Sequence, residues 1–405
     1  MEKIGYISRH DLNDSAAWSG TIRSMKTILE QEYEIVPVVV PRILIHKIIT
    51  RLAKIFSGQK NQASDFAQSF YKKKLTKRIN DAVEKGCRLF FAPESSDLLS
   101  YGCVPDECRL IYLSDATYHA MLNYYFFDSD REQKIKDNWE KLAIARADAI
   151  IYSSEWAKND ALSFYHADEK KVFVVPFPCS MPDAAGDVTK LIRSRSKRIE
   201  ETKTVHLLFV GVEWERKGAD TAIRAAGELN RRKNGYTFEL DIVGLKDQRK
   251  TAGYGKDEGE AGRNSRGNST DEHKTKEPPL RFHGRLDKSK PEEFEKFCGL
   301  YEQADLFILP TKAECAGIVF SEACMYGLPA VSHDTGGVST YVSDKKNGAL
   351  LPSGACPADF ADKIEEILSS GKFEEYSQNA RRKYETELTQ KAWLKSFDQI
   401  AKQLV

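Results

Sequence analysis

Along most of the chain, apolar residues fall in short continuous runs separated by longer stretches in which they recur every three or four positions. Residues 3–8 form one such run, and 34–40 is a second, rich in β-branched side chains. Residues 88–92 (RLFFA), 109–113 (RLIYL) and 148–153 (DAIIYS) follow. Runs of this length, rich in branched and aromatic residues, predict buried strands, and the stretches between them, such as 20–32, predict helices. Strictly alternating elements of this kind predict a mostly parallel sheet with helices on both faces.

The pattern pauses at 174–183 (VVPFPCSMPD), where three prolines in ten residues suit a linker. A second series then begins. Its predicted strands are 205–210 (VHLLFV), 238–243, 280–283, 305–309 (DLFIL) and 329–332, with helical runs at 218–232, 289–303 and 317–326. One segment, 246–278, is almost wholly Lys, Asp, Glu, Gly, Asn, Ser and Thr. It lacks the apolar surface to offset the entropy of folding and is expected to be a disordered surface insertion. The stretch 390–404 has helical spacing and carries Trp393 and Phe397 on one stripe. A chain of 405 residues exceeds the roughly 250–300 that one core supports, so two domains are expected, at 1–180 and 181–385.

Charge narrows the function classes. The 61 basic and 60 acidic residues balance to +1, which argues against a dedicated nucleic-acid binder. The eight cysteines include no C-x-x-C pair and no companion histidine cluster, so no zinc site is expected. They read as reduced thiols, and the start of the chain, MEKIGYISRH, lacks the apolar core of an export signal. With no run of 18 apolar residues, the expected compartment is the cytoplasm. Residues 42–58 (RILIHKIITRLAKIFSG) place six apolar side chains on one helical face with Arg42, Lys47, Arg51 and Lys54 interleaved. Two readings stay open for this stretch: a helix packed on the sheet, or peripheral contact with the inner face of an anionic membrane.

The densest chemical signal is 305–352, DLFILPTKAECAGIVFSEACMYGLPAVSHDTGGVSTYVSDKKNGALLP. A strand ends at Pro310, a turn holds Glu314, and a helix begins near Gly317 with Glu322 on it. Open α/β sheets bind ligands at the carboxyl ends of their strands, and unpaired amides at a helix start, around 316–319, suit a phosphate. Carboxylates beside such a site suit hydroxyl groups of a sugar or ribose. A second signal is 205–226, where a strand runs into Gly211 and a basic pair, Arg216 and Lys217, precedes Gly218. A third is WSGT at 18–21, just after the first strand, where Gly20 permits close backbone approach to a phosphate.

This ordered set resembles the family-4 retaining glycosyltransferases of the GT-B fold. Glu314 and Glu322 have seven residues between them as in the family motif, followed by Gly327, Leu328 and Pro329, then Asp334, Gly336 and Gly337, then Asn347 and Gly348. The resemblance implies two facing Rossmann-like domains with a cleft between them. The first would bind the acceptor, and the second, 181–385, the donor. The last helix, 386–405, would cross back to the first domain. It implies that Glu314 contacts the transferred sugar and Glu322 the nucleotide ribose, with Gly317, Ile318 and Val319 at the phosphate. Lys217 matches the lysine that clamps the diphosphate, and Gly211 the glycine before it. Val212 replaces the family's arginine, and Arg216 is the nearest substitute. Gly20 and Thr21 match the glycine loop of the acceptor domain.

Family members often carry a histidine after the strand at 109–113. Ser114 and Asp115 stand there instead, and His119 lies further on. Asp115 either orients the acceptor hydroxyl or caps the turn. The D-x-D at 128–130, which suggests a metal site in another glycosyltransferase fold, reads as a solvated helix cap. The implied activity is transfer of a sugar from a nucleotide-diphosphate sugar to a saccharide, lipid-linked or other hydroxyl acceptor. It would proceed with retention, with no metal and with no cofactor besides that co-substrate. Sugar-nucleotide epimerases and phosphorylases share the architecture, and a catalytically inactive partner of another glycosyltransferase is a third option.

Overall fold

The structure is a computed structural model that describes residues 1–14, 16–42, 60–184, 186–247 and 279–404. The stretch 42–58, beyond Arg42, and the insertion 246–278, beyond its first two residues, lie outside the described residues. The chain forms two compact units. One comprises Met1–Pro182, Glu314–Ser321 and Glu385–Val405, and the other Asp183–Ala313 and Glu322–Tyr384.

The first unit holds six parallel strands: β1 (Glu2–Ser8), β2 (Tyr33–Val39), β3 (Leu89–Pro93), β4 (Arg109–Ser114), β5 (Ala149–Tyr152) and β6 (Val172–Val174). Their order is β2-β1-β3-β4-β5-β6. Successive residues of a strand face opposite sides, so each strand feeds two cores. Phe90 and Tyr112 enter one core, and Phe91 and Leu113 the other. Gln390–Leu404 covers the second face. Its Trp393 and Phe397 rings lie 6.3 and 5.4 Å from Phe91, Asp398 accepts a hydrogen bond from Tyr33 at 2.6 Å, and Leu404 accepts one from Arg109 at 3.0 Å. The apolar stripe seen in the sequence is thus buried. The three-residue β6 is too short to register as a pattern, so the predicted linker 174–183 begins on its last residue.

The second unit repeats the plan with β7 (Thr204–Val210), β8 (Thr237–Val243), β9 (Leu280–Gly284), β10 (Leu306–Leu309), β11 (Ala330–His333) and β12 (Gly348–Leu351). These are again all parallel, in the order β12-β11-β10-β7-β8-β9. The strand β12 was not expected from the sequence. It follows Asn347, which is 2% exposed, donates to the Tyr341 carbonyl at 2.9 Å and accepts from the Ser343 amide at 2.6 Å. The predicted helix 218–232 is Ala219–Arg231, and a short helix not expected from the sequence, Trp214–Lys217, precedes it and ends at Gly218. Among the described residues no helix is long and apolar enough to cross a membrane.

A buried ionic cluster ties the helix Val188–Thr202 to the sheet just ahead of β10. Asp305, wholly buried, accepts the His206 amide at 2.7 Å and the Arg198 guanidinium, and lies 3.8 Å from Arg195. Arg195 also donates to the carbonyls of Tyr326 and Gly327, each at 3.3 Å. Burial pushes the Asp305 carboxyl up to about 6, and the hydrogen bonds and arginines hold it back. Removing one member of such a pair strands the other charge in the core. Asp305→Ala is therefore expected to lower stability by about 3–5 kcal/mol, read by urea denaturation. A loss below about 1 kcal/mol would mean that Arg195 is not held by this carboxylate.

Candidate functional site

In a parallel sheet every strand ends at the same edge, so the turns that follow the strands collect there. In the second unit, β7 runs into Gly211 and then into the helix Trp214–Lys217. Trp214 is buried, with its ring parallel to Phe282 and 6.3 Å away, and this seats the turn. Lys217 is 8% exposed. A Cβ on Gly211 would meet the Lys217 side chain at 3.0 Å, so the glycine makes room for the lysine stem. Gly218 ends the turn at φ +73, where a Cβ would lie 2.0 Å from the Pro310 carbonyl oxygen. Only glycine fits that conformation and that gap.

Arg216 is bound differently from Lys217. Its Nε and Nη2 donate to Glu213 at 3.0 and 2.5 Å, and its Nη1 donates to the Ala313 carbonyl at 2.9 Å. Its own carbonyl accepts from the Lys312 amide at 2.7 Å. The guanidinium thus joins the turn after β7 to the residues just before Glu314. Val212 is 63% exposed.

Glu322 sits within the helix Ile318–Met325 and is 1% exposed. One carboxylate oxygen accepts from Lys288 Nζ and the other from Tyr301 Oη at 2.9 Å. The Lys288 ammonium also lies 4.3 Å from the centre of the Phe297 ring. An ionised carboxylate has about four acceptor positions, so a further hydroxyl can still be bound. Neither Lys288 nor Tyr301 carried a sequence signal. They lie 34 and 21 residues from their partner and match no motif.

In the first unit, Asp115 lies within electrostatic reach of Glu314. Glu314 is 8% exposed, and its charge acts on Asp115. Burial pushes the Asp115 carboxyl up to about 6. The amides of Asp115 and Ala116 and a hydrogen bond from Trp18 pull it back, and Glu314 adds to the rise. The Asp115 carbonyl accepts a hydrogen bond from Ser153 at 3.0 Å. The Glu314 amide donates to Tyr124 Oη at 2.8 Å. Gly317, at φ +59, turns the chain into the helix, where a Cβ would lie 2.7 Å from the Phe320 ring. The first-turn amides of Ile318 and Val319 have no carbonyl one turn back to donate to, which leaves them aimed outward along the helix axis.

The glycine loop starts earlier than the predicted helix 20–32 suggested. Trp18, Ser19 and Gly20 are three successive left-handed residues, with φ of 47, 57 and 86. The helix Thr21–Leu29 begins only after them. Ser19, Thr21, Phe177 and Ile318 line one small crevice, which brings Thr21 and Ile318 to a shared surface. The D-x-D residues are committed elsewhere. Asp128 bonds Tyr118 and Lys136, and Ser129 caps the helix Asp130–Arg146 with Glu132. Among the described residues, no group of three or more His, Cys, Asp or Glu side chains is placed to hold a metal ion.

Residues 192–384 match the family model for glycosyl transferases group 1. The D-inositol 3-phosphate glycosyltransferase of Paenarthrobacter aurescens is 25% identical over 239 residues, 58% of this chain and 52% of the relative. The chain spans about half the length of the curated relatives it matches. Several solved structures match along the whole chain or nearly so. Sucrose-phosphate synthase of Thermosynechococcus elongatus covers 100% of this chain and 99% of its own, at 14% identity and a TM-score of 0.61. HepE of Anabaena in complex with UDP covers 99% and 100%, at 14% identity and the same TM-score. These likenesses establish the fold, two parallel α/β sheets of the GT-B architecture.

A carboxyl raised in the folded state makes stability fall as pH climbs through the interval between its unfolded and folded values. For Asp115 that interval runs from about 4 to about 6. Asp115→Asn cannot ionise. Its stability relative to the parent should therefore improve from pH 4 to pH 6 and level off above, read as melting temperatures across that range. A constant difference across the range would show that Asp115 is not held in a desolvated place.

Proposed function

We propose that this protein is a retaining glycosyltransferase that moves a sugar from a nucleoside-diphosphate sugar to a hydroxyl acceptor without a metal ion. The observation that carries the reading is the pair of glutamates, Glu314 and Glu322. They flank the start of one helix at the carboxyl end of β10, inside the segment that matches glycosyl transferases group 1. When the glycosidic bond breaks, negative charge gathers on the leaving diphosphate. Lys217 and the first-turn amides of Ile318 and Val319 are the groups assigned to it, an electrostatic role that needs no metal. Glu314 is assigned to the transferred sugar and Glu322 to the ribose. Gly211, Gly317, Gly20 and Thr21 are assigned to the donor as well. Asp115 is assigned to the acceptor hydroxyl. The bonds of Arg216 to Glu213 and Ala313 favour a supporting role for it over direct contact with phosphate.

UDP in the complex of a structural neighbour supports a nucleotide donor, and the inositol phosphate named for the curated relatives supports a polyhydroxylated acceptor. A saccharide or lipid-linked acceptor and a cytoplasmic site of action complete the reading, with peripheral membrane contact assigned to 42–58. A catalytically inactive partner protein is the second reading. It is favoured by the exposed Val212 and by the engagement of Arg216 with Glu213.

A panel of UDP-, GDP- and ADP-sugars separates the two readings. The active enzyme is expected to be stabilised thermally by one of them and to hydrolyse it slowly without an acceptor, in the presence of EDTA. Lys217→Ala should lower that turnover by roughly 10²–10³-fold, the scale for losing one charge-stabilising donor. Turnover within twofold of the parent would remove Lys217 from the diphosphate.

The glutamates should fail in different ways. Glu314→Ala should cut turnover while leaving affinity for the free nucleoside diphosphate intact. Glu322→Ala should weaken that nucleotide by about 1.5–3 kcal/mol, read by calorimetry. Unchanged affinity and unchanged turnover in both variants would overturn the assignment.

A further inference from the structure

The segment that follows β4 carries more than Asp115. Thr117 caps the short helix Tyr118–Met121, and the chain then closes into a compact turn. The Tyr124 and Tyr125 amides donate to the Met121 carbonyl at 3.2 and 2.8 Å, and the Asn123 amide donates to Phe126 at 2.8 Å. Asn123 holds a left-handed φ of 59, which places Tyr124 at the tip. The Tyr124 ring is partly buried and packs on Trp156, with centroids 5.1 Å apart. From there its phenol oxygen accepts the Glu314 amide at 2.8 Å and lies 3.5 Å from the Glu314 carbonyl oxygen.

We propose that Tyr124 is a positioning residue for Glu314, fixing the peptide that aims its carboxylate. The inference rests on the reading of Glu314 as the group that meets the donor sugar. Glu314 lies in a turn, where no ladder or helix bond holds its amide. An amide without a partner would leave the peptide plane, and with it the side-chain direction, to rotate. The phenol supplies that partner. It is neutral, so it restrains the backbone without neutralising the carboxylate. The restraint reaches the turn from both ends. Next along the chain, Cys315 and Ala316 are buried in the two cores of the first unit, and Gly317 closes the turn with its α-carbon against Phe320. Asp115 lies in the same segment as Tyr124 and its carboxyl responds to the charge of Glu314. One short stretch, 115–124, therefore presents both a carboxyl next to Glu314 and the hydroxyl that sets its backbone. Misplacement of a reacting group by about 1 Å can lower turnover about 100-fold without altering affinity, and such a split marks positioning.

The test is Tyr124→Phe, which removes only the hydroxyl, read in two ways. Amide hydrogen exchange at Glu314 should quicken at least about tenfold, with the amides of β10 unchanged as an internal control. With the panel sugar that the parent hydrolyses fastest, kcat should fall by about tenfold to 100-fold while KM and affinity for the matching nucleoside diphosphate stay within twofold. Unchanged exchange at Glu314 would overturn the proposed bond. Quickened exchange with unchanged kcat would overturn the positioning role. Glu314→Gln, measured alongside, keeps the two ideas separable. Parent-like turnover in Glu314→Gln would sink the assignment of Glu314 to the sugar, whereas a loss there with parent-like Tyr124→Phe would sink only the role of Tyr124.

Discussion

The Pro310 carbonyl oxygen approaches the α-carbon of Gly218 so closely that a methyl group there would sit 2.0 Å away. Much of the second unit's site follows from that contact. It lays the turn after β7 directly on the connection after β10. The main chain of Arg216 can then accept from the Lys312 amide, and its guanidinium can reach the Ala313 carbonyl. Lys217 is buried against Gly211, beside the strand end it follows. The next residue after Ala313 is Glu314. A single glycine with a left-handed conformation therefore couples the placement of the basic pair to the start of the segment that holds the first glutamate.

Buried carboxylates in the two units are met by different donors. Glu322 accepts from a lysine and a tyrosine. Asp305 accepts from an amide and an arginine and lies near a second arginine, and burial still raises it to about 6. In the first unit burial pushes Glu140 up to about 8, between the hydroxyls of Tyr112 and Tyr152, and pushes Asp115 up to about 6. Desolvation is the largest cause in each of these three shifts, and the hydrogen-bond donors around each carboxyl hold it back.

Neighbours at 14% identity share the whole architecture, so the fold tolerates wide change in sequence and does not by itself choose a substrate. Two turns carry local arrangements of this chain's own: Glu213 binds Arg216 beside the exposed Val212, and Trp18 donates to Asp115.

The sequence by itself determined the class of fold and the division into two strand–helix series, and it singled out the stretch with the paired glutamates. Each rests on local information. Alternation of apolar runs and helical spacing is written along the chain, as in 109–113 and 205–210, and glutamates with seven residues between them keep their spacing wherever the chain goes. Its resolution failed where elements are short. The strands β6 and β12, of three and four residues, and the helix Trp214–Lys217, of four, leave too few positions for a period to show. Tertiary structure alone decided the partners. Tyr124 meets Glu314 from 190 residues away, Lys288 meets Glu322 from 34, and Arg216 turns to Ala313 across 97. A hydrogen bond depends on atoms coming within about 3 Å at a workable angle. Distance of that kind has no signature in composition or spacing until each sheet brings its own strand ends, and the turns that follow them, to one edge.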